Sequence, residues 1–504
     1  MVNHHRYPWS AVAALVLIFF TACHRAKGPE ETILARVGDR TISTNEFIIR
    51  AEYTIRPPYC KGDNYIQRKI VLNSLIAEKL YALEAGENNE LSSNEQFQLY
   101  LRGRKEQAMR QWLFNEEFYS KVVLDTMEQK TQYKLAGRTY KLSYYSMSDS
   151  SMARRVRESL QEGRSFEEAF ARYGGAIAAI PKREVSYSGP EPDAFKEHFF
   201  AKPLQKGQVV GPFEAEKGLY MVARVDGWTD RLVMGDKEVR QRWQDVTEKL
   251  RSQHATAAYS EWVGGLMRGK TLRFDGQTFP RVAKVMADFY LKSEAEKKQL
   301  LNKQLWNSED TTRTPIPVES LDEIADLPFM VLDKQIWTVR DLQKLLLRHP
   351  LVFRNRQIAR SEFGLEFRNA LADLVRDLAV TEAAYKKGYD RSPLVQRTVQ
   401  MWQDNLLATY QRNRYLREKG KEADFYKSYL PVIEKELNPH FVELSKKYGD
   451  RIEINTDAFE KIKLTRIDMF ATEQNVPFPI VSPNFPLLTT HNLLDYGKRM
   501  APQK

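Results

Sequence analysis

One ordered pattern occurs twice in this sequence and limits the folds open to it. Val37-Gly38-Asp39-Arg40-Thr41-Ile42 reads as two short strands about a Gly-Asp turn, and Ser43-Thr44-Asn45-Glu46 has the spacing of a capping box that opens a helix. Tyr65 to Ala85 then carries Ile66, Ile70, Leu75, Ile76, Leu80 and Leu83 at helical spacing, with Gly86 where a C-cap belongs. The same order returns about 300 residues later, as internal repeats do. Val331-Leu332-Asp333-Lys334-Gln335-Ile336 mirrors the first hairpin, and Thr338-Val339-Arg340-Asp341 takes the capping position. Leu374 to Ala384 mirrors the helix, Gly388 replaces Gly86, and Ser392-Pro393 opens the next helix with Pro in its first turn. Phe441 to Tyr448 followed by Ile452-Glu453-Ile454 resembles Trp262 to Met267 followed by Leu272-Arg273-Phe274. Two copies of a hairpin-and-helices unit are therefore expected.

Between the copies the pattern changes. Ser92-Ser93-Asn94-Glu95 reads as a second capping box, opening a helix that runs to about Tyr119. From about 137 to 227 short strands alternate with short helices. Tyr140 to Met147 is alternating and aromatic; Gly207-Gln208-Val209-Val210-Gly211-Pro212-Phe213 and Leu219 to Val225 are strands about a Gly-bearing turn. Asp236 to Gly269 returns to helix. Thr311-Thr312-Arg313-Thr314-Pro315-Ile316-Pro317 has linker composition. The 504 residues make room for about two to four domains.

Composition narrows the chemistry. At 42% hydrophobic and 28% charged with a net charge of +11, the chain is an ordinary globular one. Lys and Arg alternate with Asp and Glu along the helical stretches, which predicts solvated helix faces and gives no concentrated basic stripe for nucleic acid. Two cysteines, Cys23 and Cys60, exclude a disulfide framework. The eight histidines are scattered; no His-x-x-x-His, cysteine cluster or Gly-rich phosphate loop occurs, so no metal, nucleotide or cofactor is expected.

The N-terminus predicts export. Arg6 precedes an unbroken apolar run, Ala11 to Phe20, too short to cross a bilayer and suited to the core of a secretory signal. Phe20-Thr21-Ala22-Cys23 resembles the lipobox of bacterial lipoproteins, with Phe20 where Leu is usual. The resemblance implies cleavage before Cys23 and lipid on that cysteine. His24 stands where Asp often signals inner-membrane retention, so the expected location is the periplasm-facing outer membrane.

The opening Val37 to Ile42 with Phe47, and the tail Leu204-Gln205-Lys206-Gly207-Gln208-Val209-Val210-Gly211-Pro212-Phe213, resemble the SurA/PpiD/PrsA-type periplasmic foldases and their parvulin (PpiC-type) peptidyl-prolyl isomerase domain. The implied fold class is mainly α with an inserted α+β parvulin-like domain and two SurA-like helical chaperone modules. The implied boundaries are a signal peptide 1–22, a tether 23–33, a helical chaperone module 34–136 plus 230–275, and the parvulin-like domain 137–229. A linker region 276–319, a second SurA-N-like module 320–475 and a C-terminal tail 476–504 follow. Tyr144, Phe195, Phe199, Gly211, Phe213 and Tyr220 would form a peptide groove. Histidines usual in the first and last strands of active parvulins map to Tyr144 and Tyr220, and a tyrosine, with its pKa near 10, is a poor proton shuttle at neutral pH. The resemblance thus implies a lipid-anchored chaperone that holds unfolded envelope or outer-membrane proteins without efficient catalysis. An active prolyl isomerase and a non-catalytic assembly lipoprotein with one fixed partner are the alternatives. No nucleic-acid or nucleotide partner is expected.

Overall fold

The computed structural model describes residues 31–173, 179–216, 218–232, 235–293, 296–297, 318–355, 358–464 and 480–500. Cys23 and the whole leader lie outside these residues, as does half of the expected linker 276–319; the described half is no linker, since Thr278–Tyr290 is a helix with Phe279, Val282 and Met286 in the core. The described residues are mainly helical, with three small sheets, one of them in an α+β region.

Strands β1 (Ile33–Val37) and β2 (Arg40–Ser43) form the first hairpin, and α1 (Thr44–Glu52) follows directly because the Ser43 side chain accepts the Glu46 amide hydrogen at 3.0 Å. Helix α2 (Tyr65–Ala85) ends at Gly86, whose φ of 71° suits glycine. The spacing of its apolar residues implied one buried face. In the fold the stretch from Ile70 to Ala82 is buried all round, whereas Ile66, counted with the apolar face, is 55% exposed. The reason is enclosure by α1, the C-terminal segment near 485–488 and two later helices. Helix α3 (Glu95–Phe114) is capped by Asn94 rather than by the serines before it, and continues as a π turn Asn115–Tyr119.

Helix α4 (Thr126–Ala136) leads into the α+β unit: β3 (Arg138–Met147), α5 (Ser150–Gln161), α6 (Phe166–Tyr173), β4 (Lys182–Ser186), α7 (Asp193–Phe200), β5 (Val209–Glu216) and β6 (Leu219–Asp230). Its antiparallel sheet has the order β4-β3-β6-β5. The chain enters and leaves at one point, where Arg231 N–H donates to Gly137 O at 2.8 Å. Helix α8 (Asp236–Met267) returns beside α4 and the π turn and brings Tyr259 and Val263 onto Met109 and Leu113.

Strand β7 (Leu272–Phe274) and helix α9 (Thr278–Tyr290) precede β8 (Pro328–Leu332), β9 (Gln335–Thr338), α10 (Val339–Arg348) and α11 (Phe363–Lys386). The order of the first unit recurs. Thr338 and Asp341 make a complete capping box, and Asp333 turns its hairpin at φ 56° where Gly38 turns the first at 66°. Helix α12 (Pro393–Glu418), short helices, and α13 (Asn438–Lys447) lead to β10 (Ile452–Ile454) and β11 (Lys498–Arg499).

The strand pairings cut across the partition expected from the sequence. Leu272–Phe274, placed with residues 34–136, instead pairs with β8 in a β7-β8-β9 sheet. Ile452–Ile454, placed with residues 320–475, pairs with β1, and β11 of the expected tail extends that sheet. Helix α12 packs on α2 and α3, so the end of the chain completes the beginning. Two equivalent three-residue strands carry no local signal for which hairpin each will join; that choice is made by the path of the helices.

Candidate functional site

The aromatic residues of the α+β unit meet because of helical and strand periodicity. Phe195 and Phe199, one turn apart on α7, lean on Phe213 of β5, with ring centroids 5.3 to 5.8 Å apart. They are packed core rather than an open groove, exposing 6, 0 and 7%. Gly211 has φ 106°, and a Cβ there would lie 2.5 Å from Met221 O, so β5 can approach β6 only with glycine at this point. Pro212 sits on an edge strand, where its missing N–H costs no ladder bond.

Tyr144 and Tyr220 do not converge. Tyr144 lies opposite Ala223 on the face that carries the phenylalanine cluster, with Arg183 over its ring at 5.8 Å. Tyr220 lies opposite Met147 and packs with Tyr145, Val156 and Phe166 on the face covered by α5 and α6. Side chains along a strand alternate between faces, so the expected groove of six residues divides between two sides of one sheet. One of the scattered histidines packs on the cluster: His198 stacks on Phe213 at 4.0 Å between centroids. Burial lowers its pKa, against the pull of Glu197, so the imidazole is neutral at neutral pH.

A larger concavity lies in the helical body. A cleft of about 940 Å³ opens between α3, α11, α12 and residues 481–488. Arg104, Arg110, Arg354, Arg376 and Arg412 line it, against two carboxylates, Asp373 and Asp377. Both carboxylates are engaged: Asp373 takes two hydrogen bonds from Arg354 at 2.8 Å and one from Arg376 at 3.0 Å, and Asp377 takes Arg376 at 2.8 Å. Arg104 stacks on Trp402 at 3.8 Å, and Arg412 on Phe425 at 4.4 Å. At the mouth stand Ile55, Val352 and Tyr426, exposed by 76, 70 and 49%. Just behind the wall, Glu106 accepts from Arg348 at 2.8 Å and contacts His349 at 2.6 Å. Burial would raise the Glu106 pKa, but His349 and Arg348 hold it at about 2.

The cleft left no motif in the sequence because its arginines come from four separate segments. The one available sign is local: Arg104 and Arg110 stand on a helix whose neighbours Leu101, Met109 and Leu113 are apolar, so the guanidiniums are drawn inward with them. Among the described residues no group of His, Cys, Asp and Glu is arranged to hold a metal ion, and no helix is long and apolar enough to cross a membrane. Cys60 is buried, and burial pushes its thiol up to about 12, far from the thiolate a reactive cysteine needs. Compared with protein-family models and with curated proteins, the chain matches none.

Proposed function

We propose that this protein is a lipid-anchored, periplasm-facing envelope chaperone that holds unfolded or outer-membrane client proteins. The observation that carries the reading is the cleft of about 940 Å³, whose apolar mouth and basic, aromatic walls suit an extended polypeptide better than a compact metabolite. The lipobox resemblance at Cys23 and the foldase resemblance of Val37 to Ile42 and Leu204 to Phe213 support the compartment and the class. Binding here needs neither ATP nor covalent chemistry, only many weak contacts. The test is aggregation of an unfolded outer-membrane protein, followed by light scattering, with the purified chain added. Suppression at near-stoichiometric amounts without nucleotide is expected; unchanged aggregation at tenfold excess would refute the reading. A fatty-acid probe should label wild-type protein in cells and leave Cys23→Ser unlabelled.

Prolyl isomerisation is a second reading, favoured by the His198 imidazole against Phe213. Against it stands the separation of Tyr144 and Tyr220 onto opposite faces. Turnover of a proline peptide that falls on His198→Ala would establish it.

A further inference from the structure

Arg110 is a cleft guanidinium that the fold answers only at a distance. Its side chain is about nine-tenths buried, yet its hydrogen-bond partner is the hydroxyl of Thr381 at 2.9 Å and its ion-pair contact, Asp377, is 4.0 Å away. Asp377 is already held by Arg376 at 2.8 Å. Thr381 offers only its lone pairs, because its own proton goes to Asp377 O at 2.7 Å. Asp377 and Glu106 act on the guanidinium from a distance without a hydrogen bond to it, and a buried guanidinium so loosely matched favours an anion that can complete it.

We propose that the cleft seats acidic stretches of extended polypeptide, with a client Asp or Glu carboxylate received by Arg110. This rests on the reading that the occupant is an unfolded chain, and it adds which chains are preferred. A guanidinium fork matches a carboxylate with two parallel hydrogen bonds. The excess of five arginines over two aspartates in the lining sets the sign of the preference. The volume, about 940 Å³, exceeds what a lone phosphate fills, and the exposed Ile55, Val352 and Tyr426 at the mouth offer apolar contact to the residues flanking the carboxylate.

The test uses the full chain and a fluorescent ten-residue peptide of alternating Asp and Phe, blocked at both ends, beside its Asn counterpart. The Asp peptide should bind about tenfold tighter, the size of one charge-assisted hydrogen bond, and lose that advantage at high salt. Arg110→Gln should remove the advantage, so that the Asp peptide binds no tighter than the Asn peptide. Val352→Glu, an exposed change at the mouth that does not touch the core, should weaken the Asp peptide alone. Equal affinity for the two peptides, or an undiminished preference in both variants, overturns the proposal. So does binding to phosphatidylglycerol vesicles with none to the peptide. Aggregation suppression by the same preparation reports separately on the chaperone reading: holding that persists with equal peptide affinities removes only the acidic preference. Failure to hold any client removes the function while leaving an anion-selective peptide site to be measured.

Discussion

Glu78 accepts both terminal nitrogens of Arg50, at 2.9 and 2.7 Å, and neither side chain reaches solvent. The pair is the centre of a buried polar knot. Asn405 donates to the same carboxylate at 2.7 Å, Arg50 also donates to Asn484 O at 2.8 Å, and neighbouring Lys79 bridges Glu46 at 2.8 Å and Asp404 at 3.1 Å. Four parts of the chain that are far apart in sequence meet here.

Removing one partner should therefore be severe. Glu78→Gln leaves Arg50 charged and buried, which predicts a loss of about 3–5 kcal/mol in urea unfolding. The double variant Arg50→Met, Glu78→Leu should recover most of that loss, since a buried pair replaced by apolar groups is nearly neutral. A double variant no better than the single one would show that the knot stabilises by more than mutual neutralisation.

Two helical glycines should respond oppositely to alanine. A Cβ at Gly103 would meet the Arg348 carbonyl oxygen at 2.0 Å, so α3 and α10 touch through backbone and Gly103→Ala must push them apart. A drop of more than about 2 kcal/mol is expected, since overpacking of this kind outweighs the gain in helix propensity. A Cβ at Gly264, an exposed position of α8, meets nothing within 4 Å, and Gly264→Ala should stabilise by about 0.5–1 kcal/mol. Thermal melts of the two variants measured side by side check both signs.

Acid should weaken the body in two stages. Burial, aided by Arg110 and Arg348, depresses the His349 pKa below its ordinary 6.5 despite the pull of Glu106, so the folded state favours the neutral imidazole. The unfolded chain then binds more protons below pH 6.5, and stability falls as pH drops through that range. Glu106, held at about 2 instead of 4.5, contributes stability above pH 4.5 that is lost as pH falls towards 2. Its anion is answered by His349 at 2.6 Å, by Arg348 at 2.8 Å and by Arg102 at 3.1 Å, so the two groups are coupled. Melting temperature against pH should show both declines; His349→Gln should flatten the first and, by removing one of the groups that hold Glu106 down, move the second to higher pH.

Excising residues 138–230 should leave the helical body folded, because Gly137 and Arg231 are already joined by a backbone hydrogen bond of 2.8 Å. Circular dichroism should show a cooperative melt within a few degrees of the parent's main transition. Phe213→Ala, by contrast, should loosen the α+β unit by about 3 kcal/mol, since the ring is core to that unit. Hydrogen exchange across 138–230 reads this directly.

The local grammar of the chain was legible. Gly86 and Gly388 close helices where their positions implied, Pro393 begins one, Thr338 and Asp341 form their box, and the α+β region stands between helical stretches. What escaped was set by distant neighbours. Glu78 and Lys79 look like the charged face of a solvated helix, and only the arrival of Arg50 and Asp404 makes their burial tolerable. Tyr220 looked like a groove residue beside Tyr144 because a resemblance gives position along a strand, while the face depends on register with Met147. The arginine cleft exists only once four segments have been brought together.

The pairing of β1 with β10 also governs how the protein can be born. Arg36 meets its cross-strand partner Glu453 across 417 residues of chain. During synthesis the first hairpin emerges with the outer edge of β1 unpaired, and that edge stays open until Ile452 to Ile454 have followed. An open edge is a template for misassociation, and pairings this remote are slow to form. A chain interrupted anywhere before residue 452 would carry a permanent sticky strand at its start. Such fragments should be cleared by proteolysis or aggregate rather than persist as stable partial products, so the protein is effectively all or nothing as a gene product.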